Sequence, residues 1–280
     1  MDKLLVVDGS NLLFQMFYGM PARIVNGQGR AIQGTLGFVG ALLKIIRMVT
    51  PTHALVVFDG ECKNIRRELD KDYKANRPDY REIPEEETPF SQLPDIYAAL
   101  DELGICHRET DTCEADDWIA GYAWRYGAQM EVVIVSQDSD FFQLITEHVS
   151  VLRYRGKHTV VCDPAYIQEK LGIAPEQYAA FKSLTGDTAD NIRGADKIGP
   201  KTAAELMNQF TDLQTLLVKT EEIRKPFVRR SIRQNGERIL KNYQLIHLNG
   251  AAELPFGIVL LRWEDPGCTT TQVLQKIGVK

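Results

Sequence analysis

What this chain lacks narrows its possibilities before any motif is read. Its five cysteines, Cys62, Cys106, Cys113, Cys162 and Cys268, are widely spaced and form no C-x-x-C pair, which argues against a disulfide framework. Its five histidines, His53, His107, His148, His158 and His247, show neither H-x-x-x-H nor H-x-x-E-H spacing, which argues against a zinc enzyme. Any metal must therefore find oxygen ligands. No apolar run approaches the roughly 18 to 20 residues that span a bilayer. The N-terminal MDKLLVVDGSNLLF carries acid where a secretory signal needs a basic region and a clean apolar stretch. A cytoplasmic protein with no membrane partner is the expectation. Repeats and low-complexity segments are also missing, and with 44% hydrophobic and 25% charged residues in 280 the composition excludes general disorder and a coiled-coil rod. The length suits one large domain or two small ones.

What is present begins with short apolar strands that run into acid. KLLVV at 3–7 ends at Asp8, followed by the turn-forming Gly9-Ser10-Asn11; ALVVF at 54–58 ends at Asp59; EVVIVS at 131–136 runs into Asp138 and Asp140. Helical periodicity covers 33–48, a helix ends at Leu103 before Gly104, a short strand is expected at 105–108, and a helix from Glu114 to Tyr126 closes at Gly127. Alternating strands and helices predict an α/β fold, a mostly parallel central sheet with helices on both faces. From Asp163-Pro164 to about Leu248 the pattern reads as helical. Between 62 and 94 apolar periodicity fades while charge and proline accumulate, which predicts a long arched insertion.

In open parallel sheets the crevice beyond the carboxyl ends of the strands is the usual ligand site. Asp8, Asp59, Asp138 and Asp140 should converge there. CEADDW adds Glu114 and Asp117, which share a helix face at i and i+3, with Asp116 beside them, and GDTADN adds Asp187 and Asp190 at the same spacing. Singly, an aspartate after a strand is as readily a turn or cap residue. Jointly, nine carboxylates in one cleft would repel one another into protonation unless cations were present. Oxygen-only ligands suit Mg²⁺ or Mn²⁺, and two such ions about 3.5 to 4 Å apart can activate water and stabilise the leaving oxygen of a phosphodiester.

The net charge of −5 would ordinarily disfavour a nucleic-acid partner, but setting the nine clustered acids aside from the 38 leaves 29 acidic against 33 basic residues. Segments 62–81 and 221–241 each hold seven Lys or Arg against four and three acids. In the first, Arg66, Lys71, Lys74, Arg77 and Arg81 interleave with Tyr73 and Tyr80, which suits a single-stranded path of phosphates and stacking bases; a solvated charged helix is the alternative. In DNIRGADKIGPKTAAEL, Gly194 and Gly199 flank a loop that ends at a helix start, where free N–H groups with Lys201 and Thr202 can meet a phosphate.

In order along the chain, VVDGSNLLF, VVFDGE, YKANR, EADDWIA, VSQDSDFFQL and TGDTADNIRGADKIGPKTA give a sequence that resembles the 5′-nuclease (flap endonuclease) family over residues 3–250, most closely the 5′ to 3′ exonuclease domain of bacterial DNA polymerase I and its free-standing relatives. The resemblance implies a PIN-like nuclease core over 1–162 with a helical arch at about 73–94, a helical region over 163–250 containing a helix-three-turn-helix at about 186–210, and a segment 251–280 packing on the core. It implies a stand-alone nuclease, since no polymerase or proofreading domain fits in the last 30 residues. It further implies that Asp8, Asp59, Glu114, Asp116 and Asp138 hold catalytic ions, that Asp117, Asp140, Asp187 and Asp190 form the second position or an outer shell, that Lys74 and Arg66 clamp the phosphate, and that loop carbonyls of the helix-three-turn-helix hold K⁺. The implied partner is DNA with a 5′ flap or 5′ single-stranded end, bound by a monomer. A PIN-type ribonuclease and a non-catalytic branched-DNA binding protein are the alternatives; the arch and glycine turn disfavour the first, and nine retained carboxylates disfavour the second.

Overall fold

The structure, a computed structural model, describes residues 2–60, 65–250 and 253–279, with the Arg81 side chain outside the description. Its frame is a six-stranded sheet: β1 (Lys3–Asp8), β2 (His53–Phe58), β3 (Cys106–Glu109), β4 (Glu131–Val135), β5 (Val149–Arg153) and β6 (Val160–Cys162) lie in the order β3-β2-β1-β4-β5-β6. The first five strands pair in parallel, and β6 returns antiparallel on β5, so the sheet is mixed. Both β5 and β6 were illegible from the sequence: each is short, and RYRGKH between them breaks the apolar pattern. β1 and β2 are central and buried on both sides, which is why they read as continuous apolar runs rather than alternating ones.

Side chains of β1 alternate between two cores. Leu5 and Val7 join α1 (Gly9–Gly19), α2 (Gln33–Val49) and α4 (Leu93–Glu102) on one face. Leu4 and Val6 join α5 (Ala115–Tyr126) and the helical half of the chain on the other. The short helix α3 (Ile65–Leu69) precedes the expected arch. In place of one long arch helix, 73–94 holds turns and three short 3₁₀ segments at Tyr80–Glu82, Glu85–Glu87 and Pro89–Gln92; prolines 78, 84, 89 and 94 remove the backbone donors that a continuous helix needs.

The helical half comprises α6 (Pro164–Leu171), α7 (Tyr178–Thr185), α8 (Pro200–Phe210), α9 (Leu213–Val218), α10 (Pro226–Gln234) and α11 (Gly236–Ile246). A two-residue antiparallel ladder, β7 (Gly186–Asp187) on β8 (Ile192–Arg193), interrupts it. After 253 the chain returns to the sheet: Trp263 N donates to Thr52 O at 2.9 Å, its Nε1 donates to Leu103 O at 2.8 Å, and α12 (Thr270–Lys276) packs on α2 and α4. Among the described residues no helix is long and apolar enough to cross a membrane.

Candidate metal centre

Gly9-Ser10-Asn11 opens α1 rather than a loop, because Asp8 caps that helix: its Oδ1 accepts from Asn11 N at 2.9 Å. Its other oxygen accepts from Ser136 Oγ at 2.8 Å, and the same hydroxyl accepts from Asp138 N at 3.0 Å. One serine after β4 therefore ties the acids of two adjacent strands together. Asp59, beyond β2, accepts from Ala115 N at 3.0 Å, which ties it to the first turn of α5, where Asp116 lies. Burial, with the charge of Asp59 next, pushes the Asp8 carboxyl up to about 7. Asp116 is raised well above the carboxylate range, again by burial first; Lys74 pulls it down and Asp138, Asp59 and Asp8 push it up. Asp138 is raised by burial despite its bond from Asp140 N.

A second group lies beside the first. One carboxylate oxygen each from Asp140, Asp187 and Asp190 lie within 4.8 Å of one another. Asp140 is pushed up to about 7 by burial and then by Asp138. Its Oδ1 is buried without a hydrogen bond, and Lys182 Nζ approaches it at 3.2 Å while donating to Asp187. For Asp187 burial acts upward, but Lys182 outweighs it and the pKa falls. An all-oxygen donor set in which Asp8, Asp116, Asp138 and Asp140 are all raised is the chemistry that a hard divalent cation satisfies.

The basic residues do not stand apart from the acids. Arg66 Nη2 and Nη1 donate to both oxygens of Asp117 at 2.7 and 3.1 Å, Nη1 also reaches Glu114, and Nε donates to Leu245 O at 3.0 Å. Lys74 Nζ donates to Glu114 Oε1 at 2.9 Å. Burial raises the Glu114 pKa, but Lys74 and Arg66 outweigh it and hold it low; burial acts to lower the Lys74 pKa, but the carboxylates of Glu114, Asp116 and Asp190 help to outweigh it and the pKa is raised. Asp117, grouped from the sequence with Asp140, Asp187 and Asp190, instead faces Arg66 and the Asn249 N–H, at 2.8 Å.

Other candidates divide by exposure. Lys71 and Arg77 are exposed, and Arg77 Nη2 donates to Asp190 Oδ1 at 2.8 Å. Tyr73 is 4% exposed with its hydroxyl 3.5 Å from Glu114, so its ring offers no open face for a base. Tyr80 packs edge-on against Phe14 and Phe90. A Cβ on Gly194 would sit 2.4 Å from Thr185 backbone atoms, so this glycine serves close packing; one on Gly199 would meet nothing within 4 Å. Gly199 opens α8 without a side-chain cap, beside exposed Lys201 and half-buried Thr202. Residues that sequence reasoning missed are Ser136, a plain serine in VSQDSD, and Lys182, whose only signal was a lysine on an otherwise apolar helix five residues before Asp187.

The fold and site together define an α/β protein with an acidic, cation-seeking crevice at the carboxyl ends of its strands. Residues 3–172 match the family described as 5′-3′ exonuclease, N-terminal resolvase-like domain, and residues 173–268 match 5′-3′ exonuclease, C-terminal SAM fold. The chain belongs to the 5′-3′ exonuclease family. It is similar to DNA polymerase I of Rhizobium leguminosarum, 36% identical over 88% of this chain and 24% of that protein, and to the thermostable DNA polymerase I of Thermus filiformis, 32% identical over 94% and 30%. It thus spans less than a third of the length of these relatives. In fold it resembles the bacteriophage T5 D15 flap endonuclease in a pseudo-enzyme-product complex with DNA and metal ions, with a TM-score of 0.70, 20% identity and 99% of each chain covered.

Proposed function

We propose that this chain is a structure-selective 5′ nuclease, a 5′-3′ exonuclease and 5′-flap endonuclease that hydrolyses DNA phosphodiesters with divalent metal. The observation that carries this reading is the gathering of carboxylates from separate elements: Asp140, Asp187 and Asp190, with oxygens within 4.8 Å of one another, beside Asp8, Asp59 and Asp138, which Ser136 and the start of α5 tie in place. Asp8, Asp59, Asp116 and Asp138 would hold one ion, and Asp140, Asp187 and Asp190 the other. Mg²⁺ or Mn²⁺ bound there would supply Lewis acidity and an activated water. Glu114 holds the cations of Lys74 and Arg66 at the edge of the same crevice, where a scissile phosphate would bring its developing negative charge.

The core is read as PIN-like over 1–162, with a helix-three-turn-helix near 186–210 in the helical region that follows. The open backbone at Gly199, with Lys201 and Thr202, suits a duplex phosphate, and the loop carbonyls before it suit K⁺. Exposed Lys71 and Arg77 suit a single strand. A monomer acting on DNA in the cytoplasm satisfies both elements at a junction of duplex and 5′ single strand.

A labelled 5′ flap incubated with and without Mg²⁺, with products sized on a gel, tests the reading. Cleavage near the junction should be at least about tenfold faster than on duplex or single strand alone, each element contributing ~1.4 kcal/mol. Equal cutting of 3′ flaps would reverse the assigned polarity. Single-stranded RNA as the best substrate would favour a PIN-type ribonuclease, and binding without cleavage would leave a branched-DNA binding protein.

A further inference from the structure

Two exposed asparagines join the lysine-bearing turn to the second acidic group. Asn76 Nδ2 donates to Thr188 O at 3.0 Å, with Ala189 O at 3.4 Å, and Asn191 Nδ2 donates in the opposite direction to Asp72 O at 2.8 Å. Between them Lys74 N donates to Asp190 O at 3.0 Å. The two segments, more than a hundred residues apart in sequence, are thus stitched by reciprocal amides around one backbone bond. An amide nitrogen donates to a carbonyl where an ionised carboxylate can only accept, so the chemistry favours asparagine over aspartate.

The backbone explains why such a stitch is needed. Lys74 sits at φ 55° and Asn191 at φ 58°, both in the left-handed region. Asparagine tolerates that region, but a lysine there is strained and holds it only where its surroundings over-determine it. That strained residue carries the ammonium that meets Glu114 at 2.9 Å.

We propose that Asn76 and Asn191 form a clasp that positions Lys74, docking its turn on the 187–191 loop so that the ammonium is held at the acidic crevice. Both are positioning residues that act through Lys74. The catalytic consequence rests on the nuclease reading; the docking itself does not. Because both side chains are exposed, Asn76→Ala and Asn191→Gly should fold, and glycine at 191 keeps the left-handed backbone while removing the donor.

The first test is hydrogen exchange of the Lys74 amide in metal-free protein. Its protection should fall by about tenfold in either variant with the melting temperature nearly unchanged, and unchanged protection would overturn the clasp. The second is kinetic. Each variant should lower kcat about three- to tenfold, as loss of one net hydrogen bond implies, at constant KM, and in a Lys74→Ala background neither should lower it further. A multiplying loss in that background, or a rise in KM alone, would show that the asparagines do not act through Lys74. If the unaltered protein cuts no DNA, the nuclease reading fails, and the exchange result alone decides whether the clasp exists.

Discussion

The two acidic groups lie side by side but are held by opposite means. Asp8, Asp59 and Asp138 are fixed by hydroxyl and backbone N–H donors at strand ends, and among the described residues neither they nor Asp116 has an ion pair. In the second group Lys182 serves Asp140 and Asp187, and Arg77 serves Asp190. The first group has no ion pair of its own among the described residues, and a bound cation would supply the charge it lacks. The second carries its own cation, with which any ion must compete.

The largest expected effect breaks the first group. Asp138→Asn or Asp8→Asn should lower single-turnover cleavage by about 10³-fold while DNA affinity holds or rises, because negative charge near phosphate is removed. Asp187→Asn should cost much less, and equal losses would erase the distinction between the groups.

Lys182→Met sharpens the comparison from the other side. Removing one partner of a buried pair should destabilise the metal-free protein by about 3 kcal/mol, with Mn²⁺ binding tighter and restoring most of the melting temperature. A variant as stable as the parent without metal would mean that Lys182 does not neutralise this group.

Lys74→Ala should lower kcat by about a hundredfold with KM little changed, and Arg66→Ala somewhat less, because charge stabilisation acts on the transition state. A higher KM as the only defect would make Lys74 a tether for DNA.

Metal-free stability should depend on pH in a defined direction. Asp8 and Asp140 are raised from 3.8 to about 7, so between about pH 4 and 7 the folded state binds more protons than the unfolded one, and stability falls as pH rises through that window. In chelator, melting temperatures should drop from pH 5 to pH 8 by an amount corresponding to on the order of 5 kcal/mol, since two groups each lose about two pH units of linkage there. Mg²⁺ or Mn²⁺ should remove the drop, and Asp8→Asn should reduce it. A rise with pH would contradict the upward shift that burial imposes on these groups.

The smallest effect on activity concerns Gly199. Gly199→Val should weaken binding to flap and duplex about tenfold, irrespective of base sequence, without changing stability. Gly194→Val should instead unfold or distort the protein, since its Cβ has no room. Loss of base preference in the first variant would mean that α8 enters a groove.

The comparison also separates what was legible in the sequence. Strands of unbroken apolar residues announce burial on both sides, and aspartate at their ends announces the carboxyl edge of the sheet, so the positions of Asp8, Asp59 and Asp138 followed from local pattern. The capped start of α1 was not legible, because Gly-Ser-Asn is turn chemistry unless an acid before it accepts the Asn11 N–H. β5 and β6 were hidden because such short strands owe their stability to the strands they pair with rather than to propensity.

The sequence by itself determined the residue types available: clustered carboxylates at strand ends and on helix faces, and a glycine turn before a helix. Tertiary structure decided which charge meets which. Lys74 reaches Glu114 across 40 residues, Ser136 reaches Asp8 across 128 and Asn249 reaches Asp117 across 132. Such contacts decided that Glu114 and Asp117 are neutralised by Arg66, that Lys182 fills the second group, and that Tyr73 is buried rather than open for stacking. Periodicity assigns a side chain to a face of its own element. Only packing brings two faces together, and a buried charge is stable or frustrated according to what that packing places against it.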